Sequence, residues 1–266
     1  MAIVVVPNVD LDDSEAIKAW MIKFAGITNT APNTPDLFQD RLSKQVMDDR
    51  RFKKCTRNQK GALLLYGAPG LGKTSTMIGI IDDLTQQTPA TRIACRFFNA
   101  EESSETHSPE RIAMSLLLSI FAESSTPVFP GCVHKLYKDR ASRSFTLKAI
   151  VSTLGSVISQ EDQDCLIILD AMDECARRTR LNELLKELKR IQEATGAGLI
   201  LTDRTNNPDW TDHFTLESFE LCSEIEDMRA YITESLGCSP SPFTRGKNEA
   251  LRSKAADAIL KGSEGL

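Results

Sequence analysis

The sequence is short of several things, and each shortage removes a class of function. No apolar run is long enough for a membrane span or a signal-peptide core: Ile3 to Val6 is the longest early one, and later segments are interrupted by charges. Positive charge is not in excess, since 32 Lys and Arg stand against 37 Asp and Glu for a formal net charge of −5. With a sequence pI of about 5.4, the overall field favours neither a nucleic-acid backbone nor an anionic membrane. Aromatic residues make up only 6%, and no basic stretch interleaves with them in the manner of single-strand binders. The seven cysteines, Cys55, Cys95, Cys132, Cys165, Cys175, Cys222 and Cys238, contain no C-x-x-C pair. His107, His134 and His213 stand apart from them and from one another, so zinc and dithiol redox chemistry have no footing. Scattered reduced thiols fit an intracellular protein, cytosolic or nuclear, with the cytoplasm as the expected compartment. No repeat period or low-complexity tract is present.

What is there is an ordinary globular balance, 41% hydrophobic and 26% charged over 266 residues, enough for one large α/β domain with its own core. Residues 1 to 60 read as a helical leading segment, with a helix from Ser14 to Phe24, a Pro/Asn/Thr-rich break from Thr28 to Pro35, and a polar helix running into a basic cluster. From Gly61 to Cys222 strands and helices alternate. Strands are expected at Ala62 to Tyr66, Arg92 to Phe98, Cys165 to Leu169, Gly198 to Thr202 and Phe214 to Leu221. Helices are expected after Gly72 as far as Leu84, over Pro109 to Phe121 and Phe145 to Ile158, and along the face Leu181, Leu184, Leu185, Leu188 and Ile191. Such alternation predicts a three-layer α/β fold with a mostly parallel sheet. Residues 223 to 266 read as a helical extension, with a Ser223/Glu226 capping box before a helix over Ile225 to Leu236, a Pro/Ser-rich boundary at 237 to 242, and a last helix over Lys247 to Lys261.

The chemistry enters at Gly67-Ala68-Pro69-Gly70-Leu71-Gly72-Lys73-Thr74. This satisfies G-x-x-x-x-G-K-[ST] and lies where that motif works, between a buried strand and a helix. The glycines allow backbone N–H groups to turn inward around phosphates, and the helix N-terminus adds partial positive charge. Lys73 is expected to reach the β- and γ-phosphates and the Thr74 hydroxyl to ligate magnesium, with Ser75 the neighbour in the same cradle. These residues predict binding of a nucleoside triphosphate.

A second apolar strand, Leu166-Ile-Ile-Leu-Asp170, delivers a carboxylate at its C-terminal edge, the edge where open α/β sheets bind ligands. Asp170 is the expected magnesium ligand, through water. Asp173 and Glu174 follow in the loop, where either could act as general base toward water, or both could be solvated or capping charges. A third strand end, Leu199-Ile-Leu-Thr202-Asp203-Arg204, places polar groups and a cation where a γ-phosphate could be sensed. Arg204 is the candidate, the alternative being an ion pair with Asp203 or Asp209.

Taken together, the Gly67 to Thr74 loop, the Asp170-Ala171-x-Asp173-Glu174 motif and the Thr202-Asp203-Arg204 end resemble the NACHT branch of the STAND P-loop NTPases. The likeness is greatest to the nephrocystin-like NACHT modules of fungal multidomain proteins. It covers residues 35 to 260. A small residue after the magnesium aspartate, here Ala171, is typical of that branch, whereas an acid at Asp203 is a departure from it. The resemblance implies ATP/ADP and magnesium as ligands, Arg204, Asp173 and Glu174 as catalytic groups, and a switch that rests with ADP, self-associates with ATP and resets by slow hydrolysis. It also implies that the extension past residue 223 begins a winged-helix region that the chain does not complete.

Other features point elsewhere. Arg50, Arg51, Lys53, Lys54, Arg57 and Lys60 lie beside many acids and read as a solvated face. No N/T-K-x-D element follows the acidic strand and no L-S-G-G-Q element occurs, which sets aside guanine specificity and transporter ATPases. Two rivals stay open: a small-molecule kinase using Arg177, Arg178 and Arg180 as its lid, and a module that binds nucleotide without turning it over.

Overall fold

The structure, a computed structural model, describes residues 11–26, 39–56, 61–88, 91–121, 128–143, 145–159, 164–175, 178–207, 210, 213–222 and 249–263, with isolated helical positions at 229, 232, 233 and 236. The sheet is built from β1 (Ala62–Tyr66), β2 (Arg92–Phe97), β3 (Cys165–Asp170), β4 (Gly198–Asp203) and β5 (Glu217–Glu220). The order is β2-β3-β4-β1-β5, and every pairing is parallel.

Alternation along the central strands decides which helix goes where, because successive side chains leave a strand on opposite faces. Leu64, Ile167, Leu169, Leu199 and Leu201 face a core shared with α1 (Leu11–Ala25), α5 (Pro109–Ser119), α6 (Gly131–Lys138), α7 (Leu147–Ser159) and α8 (Arg178–Thr195). Leu63, Leu65, Leu166, Ile168 and Ile200 face a second core, closed by α2 (Gln39–Asp48), α3 (Arg50–Cys55) and α4 (Lys73–Gln87). Continuous apolar strands buried on both sides are what a parallel sheet between two helical layers requires, and the three-layer α/β architecture follows. Elements from the first sixty residues share both cores: Ile17, Met21 and Ala25 belong to one, and Val46, Phe52 and Cys55 to the other.

The start of α5 has a local cause. Pro109 stands at the first position of α5, and the Ser108 side chain accepts from Arg111 N at 3.4 Å, so the start is set by both the fixed proline φ and a cap. Helix α6 has no counterpart in the pattern read above. Its buried Val133 and Leu136 supply only two apolar anchors over two turns, too few for a periodic signal. The strand expected from Phe214 starts instead at Glu217, because Phe214 is drawn into the core beside Trp210. The helix over 225–236 lies mostly outside the described residues, though Arg229, Ile232, Thr233 and Leu236 are helical. Arg229 reaches Asp257 and Ser253 on α9 (Glu249–Ser263).

In the basic cluster Arg50, Lys53 and Lys54 are exposed, as in a solvated face, while Arg51 is half-buried. Arg51 is paired with Asp49 at 2.8 Å, donates to Ser218 O and lies 4.7 Å over the Phe219 ring, and Lys54 pairs with Glu217 on β5. These cations pin α3 to the sheet edge; Arg57 and Lys60 lie outside the described residues.

Candidate functional site

The ends of β1, β3 and β4 meet at one cleft of about 330 Å³, lined by the phosphate loop on one side and by Asp173, Glu174 and Arg204 on the other. Strand order brings them together. The phosphate-loop strand β1 and the acidic strand β3 do not pair; each flanks β4, so the last residues of β4 stand between the loop and the acids.

On the loop side, Gly72 takes φ 75° at the N-cap of α4 and no side chain caps that helix. The first amides of α4 are therefore left for a ligand, and the left-handed turn is one a glycine adopts at little cost. Gly67 is required for a different reason: a Cβ there would lie 2.8 Å from the Leu221 carbonyl oxygen. Lys73 folds back, its Nζ donating to Gly67 O at 2.6 Å and to Ala68 O at 3.0 Å. Burial pulls its pKa below the ordinary lysine value, and the carboxylates of Asp173 and Asp170 oppose the shift. An anion entering the loop offers the ammonium a charge-assisted partner in place of two carbonyls.

The acidic strand end is the most constrained part of the site. Asp170 is 1% exposed. Its Oδ2 accepts from Thr74 Oγ1 at 2.6 Å and its Oδ1 accepts from Thr202 Oγ1 at 2.6 Å. Burial pushes its carboxyl above the usual aspartate range, while the two hydroxyl donors and the Lys73 charge pull the other way. The hydroxyl of Thr74 spends its proton on Asp170 and so turns a lone pair outward. That all-oxygen arrangement fits magnesium, which binds through few protein ligands and completes its shell with water and phosphate. Among the described residues no cluster of three or more His, Cys, Asp or Glu side chains could hold a metal.

Beyond Asp170 the chain turns at Ala171, the one described non-glycine residue with positive φ (58°), and enters a short 3-10 turn over Met172–Glu174. That turn aims both acids at Arg204. Its Nε lies 2.6 Å from Asp173 Oδ2 and its Nη2 3.3 Å from Glu174 Oε1. Glu174 Oε2 accepts a further bond from Ala100 N at 3.0 Å. Arg204 is thus an ion-pairing residue whose described partners are Asp173 and Glu174, not the adjacent Asp203. Asp203 is buried and faces the other side of β4, accepting from Trp210 Nε1 at 2.8 Å and Thr205 N at 3.1 Å, so it leaves the cleft to Arg204. Asp209, and the side chains of Arg177, Arg178 and Arg180, lie outside the described residues.

Two contributions are not readable from the motifs. One is the Thr202 hydroxyl on Asp170; the other is the Ala100 amide on Glu174. Both depend on which strand lies beside which, and that order is written in no local pattern.

A glycine-rich strand-to-helix loop ending in Lys-Thr, joined through Thr74 to a buried aspartate on a parallel strand that is not its neighbour, defines a P-loop NTPase fold. Residues 42–204 match the family described as nephrocystin 3, N-terminal, and the chain belongs to that family, a NACHT-like P-loop NTPase. It is 26% identical over 206 residues to the vegetative incompatibility protein HET-E-1 of Podospora anserina, an alignment that takes in 75% of this chain and 14% of that protein. Among solved structures, Cdc6p from Pyrobaculum aerophilum superposes with a TM-score of 0.50 at 13% identity, over 88% of this chain and 53% of that one. A STAND protein with a tetratricopeptide repeat sensor from Pyrococcus horikoshii matches with a TM-score of 0.39 at 16% identity, over 80% of this chain and 28% of that one.

Proposed function

We propose that this chain is the nucleotide-operated part of a signalling switch, binding ATP or ADP with magnesium and hydrolysing ATP slowly. The observation that carries the reading is the 2.6 Å bond from Thr74, which lines the cleft on the phosphate loop, to Asp170, buried at the end of the acidic strand. It joins the group that would touch the metal to the carboxylate that would hold the metal's water. Thr74 and Asp170 would hold magnesium, which supplies charge neutralisation at the β- and γ-phosphates. Lys73 exchanges its carbonyl partners for phosphate oxygens. Arg204 leaves Asp173 and Glu174 for the γ-phosphate, and the acid it releases takes a proton from water. ADP lacks the group that would draw Arg204 away, so the two nucleotides select different states of one latch. Self-association with ATP, a cytoplasmic site of action, and a division into 1–60, 61–222 and 223–266 belong to the same proposal.

Equilibrium binding of a fluorescent ATP analogue, with and without magnesium, tests the core of this reading. Wild-type protein should bind and Lys73→Ala should bind about 10- to 100-fold more weakly; equal binding by the two would overturn it. The switch is tested separately by sedimentation with ADP and with a non-hydrolysable ATP analogue, where an unchanged oligomeric state would count against it. One observation favours a second reading, nucleotide binding without turnover: both candidate bases are committed to Arg204. Free phosphate release in a single-turnover assay separates the two.

A further inference from the structure

We propose that Thr202 is the positioning residue of this site, holding the metal-directed carboxylate and the turn that follows it with a single hydroxyl, and is not a phosphate contact. The proposal rests on the magnesium-dependent reading above and adds a residue to it.

The parallel register sets the pair up. Leu169 lies opposite Leu201, so the next residues, Asp170 and Thr202, leave neighbouring strand ends on the same face. Thr202 is fully buried. Its Oγ1 donates to Asp170 Oδ1 at 2.6 Å and accepts from Ala171 N at 2.7 Å. A hydroxyl has one proton to give, and here it is spent on Asp170, leaving none for a phosphate oxygen. With Thr74 on Oδ2, the carboxylate is gripped at both oxygens and its plane is set.

The second bond matters as much. Ala171 sits at φ 58°, ψ 49°, a left-handed conformation that brings a Cβ too close to the following carbonyl oxygen. A strained turn persists where its surroundings over-determine it, and the bond from Ala171 N to Thr202 is such a restraint. From this turn Asp173 and Glu174 are aimed at Arg204. One hydroxyl therefore orients the metal-directed carboxylate directly and both candidate bases through the backbone. Valine has nearly the shape of threonine without the hydroxyl, and serine has the hydroxyl without the methyl. The pair separates chemistry from packing.

The experiment uses the whole chain with Thr202→Val and Thr202→Ser. ADP and a non-hydrolysable ATP analogue are titrated with and without magnesium, and exchange of the Ala171 amide is followed without nucleotide. Partners that orient metal ligands are typically worth about 10- to 100-fold in metal affinity. Thr202→Val should lose about that much of the magnesium-dependent gain, keep magnesium-free binding within about twofold, and expose the Ala171 amide to exchange. Thr202→Ser should restore all three. A full magnesium effect in Thr202→Val would overturn the proposal, as would equal losses with and without magnesium, or a serine variant no better than valine. If the valine variant does not fold, the serine variant decides: loss of the magnesium effect or of amide protection there overturns the proposal. If wild-type protein shows no magnesium effect, the functional reading above fails, while Ala171 amide exchange still judges the role of Thr202.

Discussion

The two sides of the cleft are built on different plans. The phosphate loop is contiguous: eight residues carry its shape, its cation and its hydroxyl, and Lys73 reaches only five and six residues back. The acidic side is assembled from two separate strand ends, β3 and β4, with Asp170 and Thr202 thirty-two residues apart and Arg204 thirty from Glu174. A contiguous loop can be recognised from its own sequence, and it retains its form as long as the strand and helix beside it do. An assembled site depends on strand order, and small changes in it move several groups together.

The comparison can be broken from the loop side first. Lys73→Ala removes the one cation of the cradle; loss of a charge-assisted bond of about 1.5–3 kcal/mol corresponds to about 10- to 100-fold weaker nucleotide binding, read by fluorescence titration. Gly67→Ala forces a methyl to within 2.8 Å of the Leu221 carbonyl, a backbone atom that cannot swing away. The overpacking should lower stability by about 1–3 kcal/mol in denaturant unfolding. If either variant behaves as wild type, the loop is not the rigid partner described here.

On the assembled side the expected effects are smaller and divide function from stability. Folding raises the Asp170 pKa above its ordinary 3.8, so over the window between the two values the folded form holds more protons than the unfolded one. Stability contributed by this group then falls as pH climbs through that window and stays reduced at neutral pH. Asp170→Asn should therefore melt no lower than wild type at pH 7 while losing magnesium-dependent binding; a large drop in melting temperature would contradict this. Ala171→Gly relieves a left-handed alanine, and after the entropy cost of a new glycine should stabilise by about 0.5–1 kcal/mol, measured by urea titration. Arg204→Ala breaks pairs made by a side chain that is 50% exposed, so its stability effect should stay below about 1 kcal/mol. Its signature should instead be a narrowed preference between ATP and ADP in competition binding.

How much could be read beforehand follows the same division. The four strands β1 to β4 and the main helices were legible because each has its own apolar run or a periodic face, as in Leu166 to Leu169 or the Leu181 to Ile191 stripe, whereas the start of β5 was not. Helix α6 was not, having only Val133 and Leu136 to announce it. Asp203 looked like a competitor for Arg204 because the two are adjacent. Alternation along β4 sends them to opposite faces, and Trp210, seven residues on, claims the acid.

The sequence by itself determined the phosphate cradle and the residues that line it, because a glycine-rich turn between an apolar strand and a helix is a local solution that neighbouring residues enforce. It also supplied the carboxylate at the end of a buried strand. Only the tertiary structure decided that β4 would lie between those two elements, and with that choice came the Thr202 grip on Asp170, the left-handed turn at Ala171 and the capture of Asp173 and Glu174 by Arg204. Parallel strands pair through long crossovers whose order no short motif encodes, so the groups on the acidic side of the cleft become neighbours only when the sheet closes.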